Sequence, residues 1–126
     1  MVLSAFAAQL HTASAPRVAV LSARVGSIGD NRLGGWYSYR ASKAALNMLL
    51  RSAAIELHRG NKSAKLIAFH PGTTDTPMSK PFQRGVPGDK LFTPAFVADQ
   101  LLLILDDIAA DGELTFVDWA GKTIDC

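Results

Sequence analysis

Two short apolar runs, at residues 17–22 and 64–69, place the strongest limit on the fold of this chain. Neither run alternates apolar with polar residues, as a strand with one solvent-exposed face does. Strands buried on both faces occur almost only in parallel sheets that carry helices on each side. The two runs therefore predict the buried strands of an α/β fold.

Helical patterns alternate with these runs along the chain. Apolar residues recur at helical spacing over residues 2–11, 37–58 and about 94–108, and a third apolar run at 114–118 is predicted to be a strand. Thr93, followed by a proline, is a typical helix start. The order predicts a partial Rossmann-like fold, which is a doubly wound parallel sheet with about three strands and three helices.

One long segment lies outside this pattern. Residues 73–92 contain three prolines and two glycines and are predicted to be irregular. An irregular segment of this length inside a compact domain is usually a binding lid or a disordered stretch. Both alternatives stay open at this point.

The composition restricts the class of protein and its partners. The 126 residues suggest one domain, and the hydrophobic content of 48% is ordinary for a globular protein. The net charge of +2 is scattered without a basic run, so no nucleic-acid partner is predicted. No segment has the roughly 18 consecutive apolar residues of a membrane span, so no membrane partner is predicted either.

Cysteine and histidine positions indicate neither a disulfide nor a metal site. Cys126 is the only cysteine, so no intrachain disulfide can form and a reducing, cytoplasmic setting is expected. The three histidines have no cysteine or acidic partner at the spacing of metal ligands. No metal is therefore predicted.

A tyrosine and a lysine lie four residues apart near the start of the second predicted helix. This spacing places Tyr39 and Lys43 on one helix face, with Cβ atoms about 5–6 Å apart. An ammonium group beside a phenol favours the phenolate, and a phenol tuned in this way can exchange a proton with a substrate oxygen. The same spacing occurs by chance in many helices, so its interpretation depends on the surrounding sequence.

Further segments accompany this pair at the ends of the predicted strands. The Tyr39–Lys43 segment opens a helix after a strand that ends in Ser22, and Pro71-Gly72-Thr73-Thr74-Asp75-Thr76 follows the next strand. Together they resemble the C-terminal half of a short-chain dehydrogenase/reductase. The longer segments 22–31, 34–47 and 118–122 are similar to the C-factor-like and sniffer-like carbonyl reductase branch of that family.

The resemblance implies an NAD- or NADP-dependent oxidoreductase that moves a hydride between the nicotinamide and a small-molecule carbonyl or alcohol. It implies that Tyr39 is the catalytic acid/base, and that Lys43 tunes Tyr39 and binds the nicotinamide ribose. The residues implied to hold the nicotinamide end of the cofactor are Tyr39, Lys43, Pro71, Gly72, Thr74 and Thr76. The resemblance also implies a homo-oligomer built through the helices at 2–11 and 37–58.

The catalytic serine is open between two positions. In the usual family pattern two serines end the strand, but here alanine, Ala23, follows Ser22. Neighbours on a strand point to opposite faces, so Ser22 is expected to point away from the site. Ser27 lies twelve residues before Tyr39, close to the family spacing, and is the preferred candidate.

One part of the family pattern is absent from the sequence. No GxGxxG turn follows a predicted strand, so residues 1–126 are interpreted as a single partial domain that lacks the N-terminal Gly-rich cofactor-binding half. The chain is therefore expected to be inactive alone. The alternative hypothesis is a non-catalytic remnant or a protein–protein interaction module, whose strand at 17–22 is an unpaired, aggregation-prone edge.

Overall fold

Helices and strands alternate along the chain, as the sequence predicts. The computed structural model describes residues 2–126. The helices are α1 (Val2–Ala5), α2 (Ala7–Thr12), α3 (Tyr37–Gly60) and α4 (Pro94–Asp107). The strands are β1 (Arg17–Leu21), β2 (Lys65–His70), β3 (Thr73–Thr74), β4 (Leu91–Phe92) and β5 (Thr115–Asp118).

The main sheet has three parallel strands in the order β1-β2-β5. Arg17 pairs with Lys65 at the start of the β1–β2 ladder, and His70 pairs with Asp118 at the end of the β2–β5 ladder. The predicted α/β fold with a parallel sheet is confirmed. All three carboxyl ends meet at one edge of the sheet, which is where ligands bind in open α/β folds.

Helices cover both faces of this sheet. Successive side chains of β2 point in opposite directions, so they contribute alternately to a core on each face. Leu66 and Ala68 pack on one side in a core that includes Leu50 and Leu57 of α3. Ile67 and Phe69 pack on the other side against the α4 face. Two cores around a strand buried on both faces explain why the sequence of β2 lacks alternation.

Element boundaries differ from the sequence predictions at two places. The single helix predicted at 2–11 is two short helices that meet at Phe6, whose φ of −103° and ψ of 8° leave the helical region. Segments of four and six residues contain few internal hydrogen bonds, so packing of Leu3 and Leu10 on the core decides their shape. The helix predicted at 37–58 extends two residues further and ends at Gly60.

The cap of α4 agrees with its prediction. The Thr93 hydroxyl accepts a hydrogen bond from the Phe96 backbone N–H at 3.1 Å, and Pro94 occupies the first helical position.

Residues 73–92 were predicted to be irregular, but they contain short regular elements. They begin and end with β3 and β4, which pair in parallel, and the stretch between them holds two 3₁₀ turns.

Candidate active site

The first turns of α3 present the tyrosine and lysine pair at the carboxyl end of β1. The Lys43 ammonium lies 5.9 Å from the centre of the Tyr39 ring and 3.4 Å from the Leu21 carbonyl oxygen. Gly26 makes this position of α3 possible, because a Cβ there would lie 2.7 Å from the Cβ of Lys43. The helix therefore approaches the turn after β1 as closely as backbone contact allows.

A cavity of about 560 Å³ opens beside this pair. Its walls come from the turn after β1, the start of α3 and the segment after β2. Of the residues predicted for the site, those that line it are Ser22, Tyr39, Gly72, Thr74 and Thr76. Lys43 and Pro71 are not in the lining: the Lys43 ammonium lies 5.9 Å from the centre of the Tyr39 ring, and Pro71 directly precedes Gly72.

The two candidate serines have different surroundings. Ser22 lines the cavity, is buried, and donates its hydroxyl to the Asn47 side-chain oxygen at 2.7 Å. Ser27 is 1% exposed and lies outside the cavity lining. Its hydroxyl donates to the Asp125 carbonyl and accepts from the Asp30 backbone N–H at 2.9 Å. The structure thus brings Ser22, and not Ser27, to the cavity that Tyr39 lines.

The segment after β2 supplies an unused hydroxyl. The Thr74 side-chain oxygen is buried and has no hydrogen-bond partner within residues 2–126. Ser79 fixes this segment by donating to the Thr74 carbonyl and accepting from the Thr76 backbone N–H at 3.2 Å. A buried hydroxyl without a partner fits a ligand that carries both a hydrogen-bond donor and an acceptor, such as a carboxamide.

Two ionisable residues that line the cavity, Arg24 and His70, are paired and neutral respectively at pH 7. The Arg24 guanidinium lies 3.0 Å from an Asp118 carboxylate oxygen and 3.7 Å from one of Asp30. Burial, together with the nearby Arg24 charge, lowers the pKa of His70 from 6.5 to about 4. His70 Nδ1 accepts a hydrogen bond from the Arg24 backbone N–H at 3.1 Å, which fixes the neutral ring.

Sequence reasoning missed several residues of this site. Arg24 and Arg40 give the pattern of solvated surface charges, but Arg24 pairs with Asp118 and Arg40 binds backbone carbonyls of the loop before α3. Their partners lie on other elements or arise from backbone turns, so spacing along the chain holds no signal for them. Met78 and Phe82 also line the cavity, although their segment carries no diagnostic motif.

Two kinds of feature are absent from the described part of the chain. No helix within residues 2–126 is long and apolar enough to cross a membrane. Within the same residues, no three His, Cys, Asp or Glu side chains are grouped closely enough to hold a metal ion.

The sequence is similar to proteins of known family. Residues 2–86 match the sequence model of a family described as short chain dehydrogenase. The 1-hydroxy-2-glutathionyl-2-methyl-3-butene dehydrogenase of Rhodococcus sp. (strain AD45) is 35% identical over 82% of this chain and 46% of its own length. The C-signal protein of Myxococcus xanthus is 33% identical over 98% of this chain and 69% of its own length.

The fold is similar to that of a solved carbonyl reductase. The NADPH-bound carbonyl reductase from chicken fatty liver superposes with a TM-score of 0.80 and 27% identity, over 98% of this chain and 51% of that one. The chain thus spans about half the length of this carbonyl reductase and of the Rhodococcus dehydrogenase.

Proposed function

The chain belongs to the short-chain dehydrogenase/reductase family, and we propose that its cavity serves NADP-dependent oxidoreduction of a carbonyl or alcohol. The observation that carries this proposal is Tyr39 at the cavity wall with the Lys43 ammonium 5.9 Å from its ring. In this proposal Tyr39 gives a proton to the carbonyl oxygen during reduction and takes it back during oxidation. Lys43 stabilises the phenolate that remains after proton transfer.

The cavity fits the nicotinamide end of the cofactor. The unpartnered Thr74 hydroxyl matches a carboxamide, and Gly72 and Thr76 line the same wall. We assign these three residues, with Pro71 and Lys43, to binding that end. The bound nicotinamide supplies or accepts the hydride. NADP is favoured over NAD because the carbonyl reductase of similar fold is described as NADPH-bound.

In this proposal Ser22 is the residue that hydrogen-bonds the substrate oxygen alongside Tyr39. Ser22 lines the same cavity as Tyr39, whereas the Ser27 hydroxyl is engaged with the Asp125 carbonyl outside it. Ser22 already donates to Asn47, so it would have to turn its hydroxyl toward the substrate. Ala23 offers no hydroxyl beside it, which leaves Tyr39 as the main hydrogen-bond donor to the substrate.

A second candidate function is that of an interaction module, including a homo-oligomer through α1, α2 and α3. It is favoured by exposed apolar side chains on α3, where Met48 is 64% and Leu49 is 53% exposed.

The two functions are separated by one assay with a matched pair of variants. NADPH is titrated into the chain while energy transfer from Trp36 and Trp119 is followed, and NADPH oxidation is measured with propanal and acetophenone. Tyr39→Phe should lower turnover by about 10²–10⁴-fold. Tyr37→Phe alters an exposed tyrosine two residues away and should leave turnover unchanged.

Equal turnover in both variants would refute the role of Tyr39. If millimolar NADPH causes no saturable energy transfer, catalysis by this chain is refuted and the interaction module is favoured.

A further inference from the structure

The loop before α3 holds a bulky residue in an unusual backbone conformation. Gly34, Gly35 and Trp36 have φ angles of 68°, 68° and 55°, all in the left-handed region. Glycine enters this region freely, but a tryptophan there strains the backbone. The strain persists only because surrounding contacts hold the loop, and such strain is often found at functional sites.

Arg40 provides those contacts. Its guanidinium donates to the Gly35 carbonyl at 2.9 Å, to the Gly34 carbonyl at 3.1 Å and to the Val25 carbonyl at 3.4 Å. Its backbone N–H also donates to the Trp36 carbonyl at 2.8 Å. Arg40 thus ties the loop before α3 to the turn after β1, and its hydrogen bonds hold the peptide groups on both sides of Trp36.

Fixed in this way, Trp36 joins an aromatic rim formed with Tyr39 and Phe82. The Trp36 ring centre lies 6.2 Å from that of Tyr39 and 6.0 Å from that of Phe82, with tilted planes. These distances are typical of favourable aromatic pairs. All three residues line the cavity, and Phe82 comes from the segment after β2, so the rim joins two walls of the site.

The rim leaves a large apolar surface open to solvent. Trp36 and Phe82 are each 60% exposed, and Met78 beside them is 85% exposed. The Arg24 charge at the cavity is paired with Asp118, and the His70 ring is neutral at pH 7. The surface therefore gains most from an uncharged ligand with flat apolar faces.

We propose that the aromatic rim selects carbonyl compounds that carry a flat aromatic group, and that Arg40 is a positioning residue for Trp36. The proposal rests on the proposed function, because the role of Tyr39 fixes where the carbonyl lies. With the carbonyl oxygen at the Tyr39 hydroxyl, the aromatic group of the substrate extends between Trp36 and Phe82.

The test compares acetophenone with cyclohexyl methyl ketone, which has the same skeleton without the aromatic ring. The ¹⁵N-labelled chain has two indole N–H signals, from Trp36 and Trp119, which are assigned with the Trp36→Phe and Trp119→Phe variants. We expect acetophenone to shift the Trp36 signal and to bind about 5–10-fold more tightly than the saturated ketone, corresponding to about 1 kcal/mol for an aromatic contact.

Variants of the rim residues distinguish selection by the rim from non-specific hydrophobic binding. Trp36→Ala and Phe82→Ala should each remove most of the preference for acetophenone and leave binding of the saturated ketone nearly unchanged. Equal affinity of the two ketones, a shift of the Trp119 signal alone, or no shift of either signal overturns the proposal.

Arg40 is tested by the ratio of the two affinities rather than by stability. Arg40→Met should move the Trp36 indole signal in the free chain and bring the ratio close to one, while Arg40→Lys should restore part of it. Arg32→Met is the control, because the Arg32 side chain donates to the carbonyls of residues 29 and 31, which lie in its own loop. An unchanged ratio in Arg40→Met overturns the positioning role.

Failure of this proposal and failure of the proposed function are distinguishable. Loss of NADPH binding or turnover refutes catalysis but leaves the ketone preference measurable. Equal binding of the two ketones refutes the role of the rim but leaves the Tyr39→Phe result intact.

Discussion

The outer edge of β5 is covered by the residues that follow it, whereas the outer edge of β1 is open within residues 2–126. After β5 the chain turns back, so that Val117 forms an antiparallel bridge with Thr123 and Ile124 N–H donates to the Phe116 carbonyl at 2.8 Å. The Asp118 carboxylate closes this turn by accepting from the backbone N–H groups of Ala120 and Lys122, each at 2.9 Å.

The open edge of β1 follows from the alternation of the strand. The Pro16 carbonyl and the Ser22 N–H bond to β2, so the backbone groups of Arg17, Ala19 and Leu21 face outward. Among them, and counting partners within residues 2–126, only the Leu21 carbonyl has one, the Lys43 ammonium at 3.4 Å. An open edge of this kind is a template for pairing with another strand.

The comparison shows that the two sides of the candidate site differ in completeness. On the side formed by β2, β5 and the 73–92 segment, residues 118–124 cover the sheet edge, although the buried Thr74 hydroxyl has no partner within residues 2–126. The side formed by β1 leaves backbone groups unpaired, and the buried Asn47 side-chain nitrogen near it also has no partner within residues 2–126. The β1 side is therefore where association and instability are expected to begin.

Among changes that break a single contact, the largest effect is expected from opening the closed side at the amino end of β5. The Lys65 side chain is 1% exposed, and its ammonium lies 2.6 Å from an Asp111 carboxylate oxygen and 2.6 Å from the Glu113 carbonyl. This pairing lowers the pKa of Asp111. The Asp111 side chain is 56% exposed, so water replaces part of the lost contact, and Asp111→Ala should lower the free energy of unfolding by at most about 3 kcal/mol, measured by urea denaturation.

Lys65→Met is the matched control, because it removes the charge together with the need for a partner. Lys65→Met should lower the free energy of unfolding less than Asp111→Ala does, since an apolar side chain can replace a buried pair at little cost. A loss in Asp111→Ala no greater than that in Lys65→Met would show that β5 does not depend on this pair.

The next largest effect on stability is expected from protonation of His70, which accepts a hydrogen bond from the Arg24 N–H and so links the end of β2 to the turn after β1. The pKa of folded His70 is lowered to about 4 by burial and by Arg24, whereas nearby Asp118 and Asp30 act in the opposite direction. Between pH 6.5 and pH 4 the unfolded chain binds a proton that folded His70 excludes, so stability falls as the pH falls. The loss from this group should be about 2–3 kcal/mol by pH 4.

Urea midpoints measured from pH 7 to pH 4 test this expectation. His70→Asn keeps an acceptor for the Arg24 N–H and should show a correspondingly flatter pH dependence. The same exchange at the exposed His11 should leave the profile of the native chain unchanged. If the urea midpoints of the native chain and of His70→Asn fall in parallel with pH, His70 is not the source of the pH-dependent loss of stability.

The smallest effect on stability, and a specific one on association, is expected at the open edge. Leu21 is 58% exposed, so Leu21→Lys should change the free energy of unfolding by less than about 0.5 kcal/mol. A charge on an edge strand opposes pairing with another chain, so self-association should weaken in sedimentation velocity runs over a concentration series.

The same exchange on the closed side sharpens the comparison. Val117 is 4% exposed, and Val117→Lys should prevent folding rather than affect association. If Leu21→Lys associates as strongly as the native chain, the open edge is not the surface through which copies meet.

Much of the fold could be predicted from the sequence because its signals are local. The apolar run of β2 and the Thr93 cap of α4 each depend on neighbouring residues, and the structure confirms both. The break at Phe6 could not be predicted, because short helices depend on packing rather than propensity. Roles for Tyr39 and Lys43 were predicted from helical spacing and resemblance, and these roles stay predictions.

The sequence by itself determined the alternation of elements, the parallel sheet with its buried strand β2 and the placement of Tyr39 and Lys43 on one helix face, because periodicity and spacing are properties of the chain alone. The other predicted buried strand, β1, is only half-buried within residues 2–126. Only the tertiary structure decided which serine reaches the cavity, that Arg40 holds Trp36 over it, and which edge of the sheet is closed. These outcomes depend on contacts between residues far apart in the sequence, and their geometry exists only once the sheet and helices have packed.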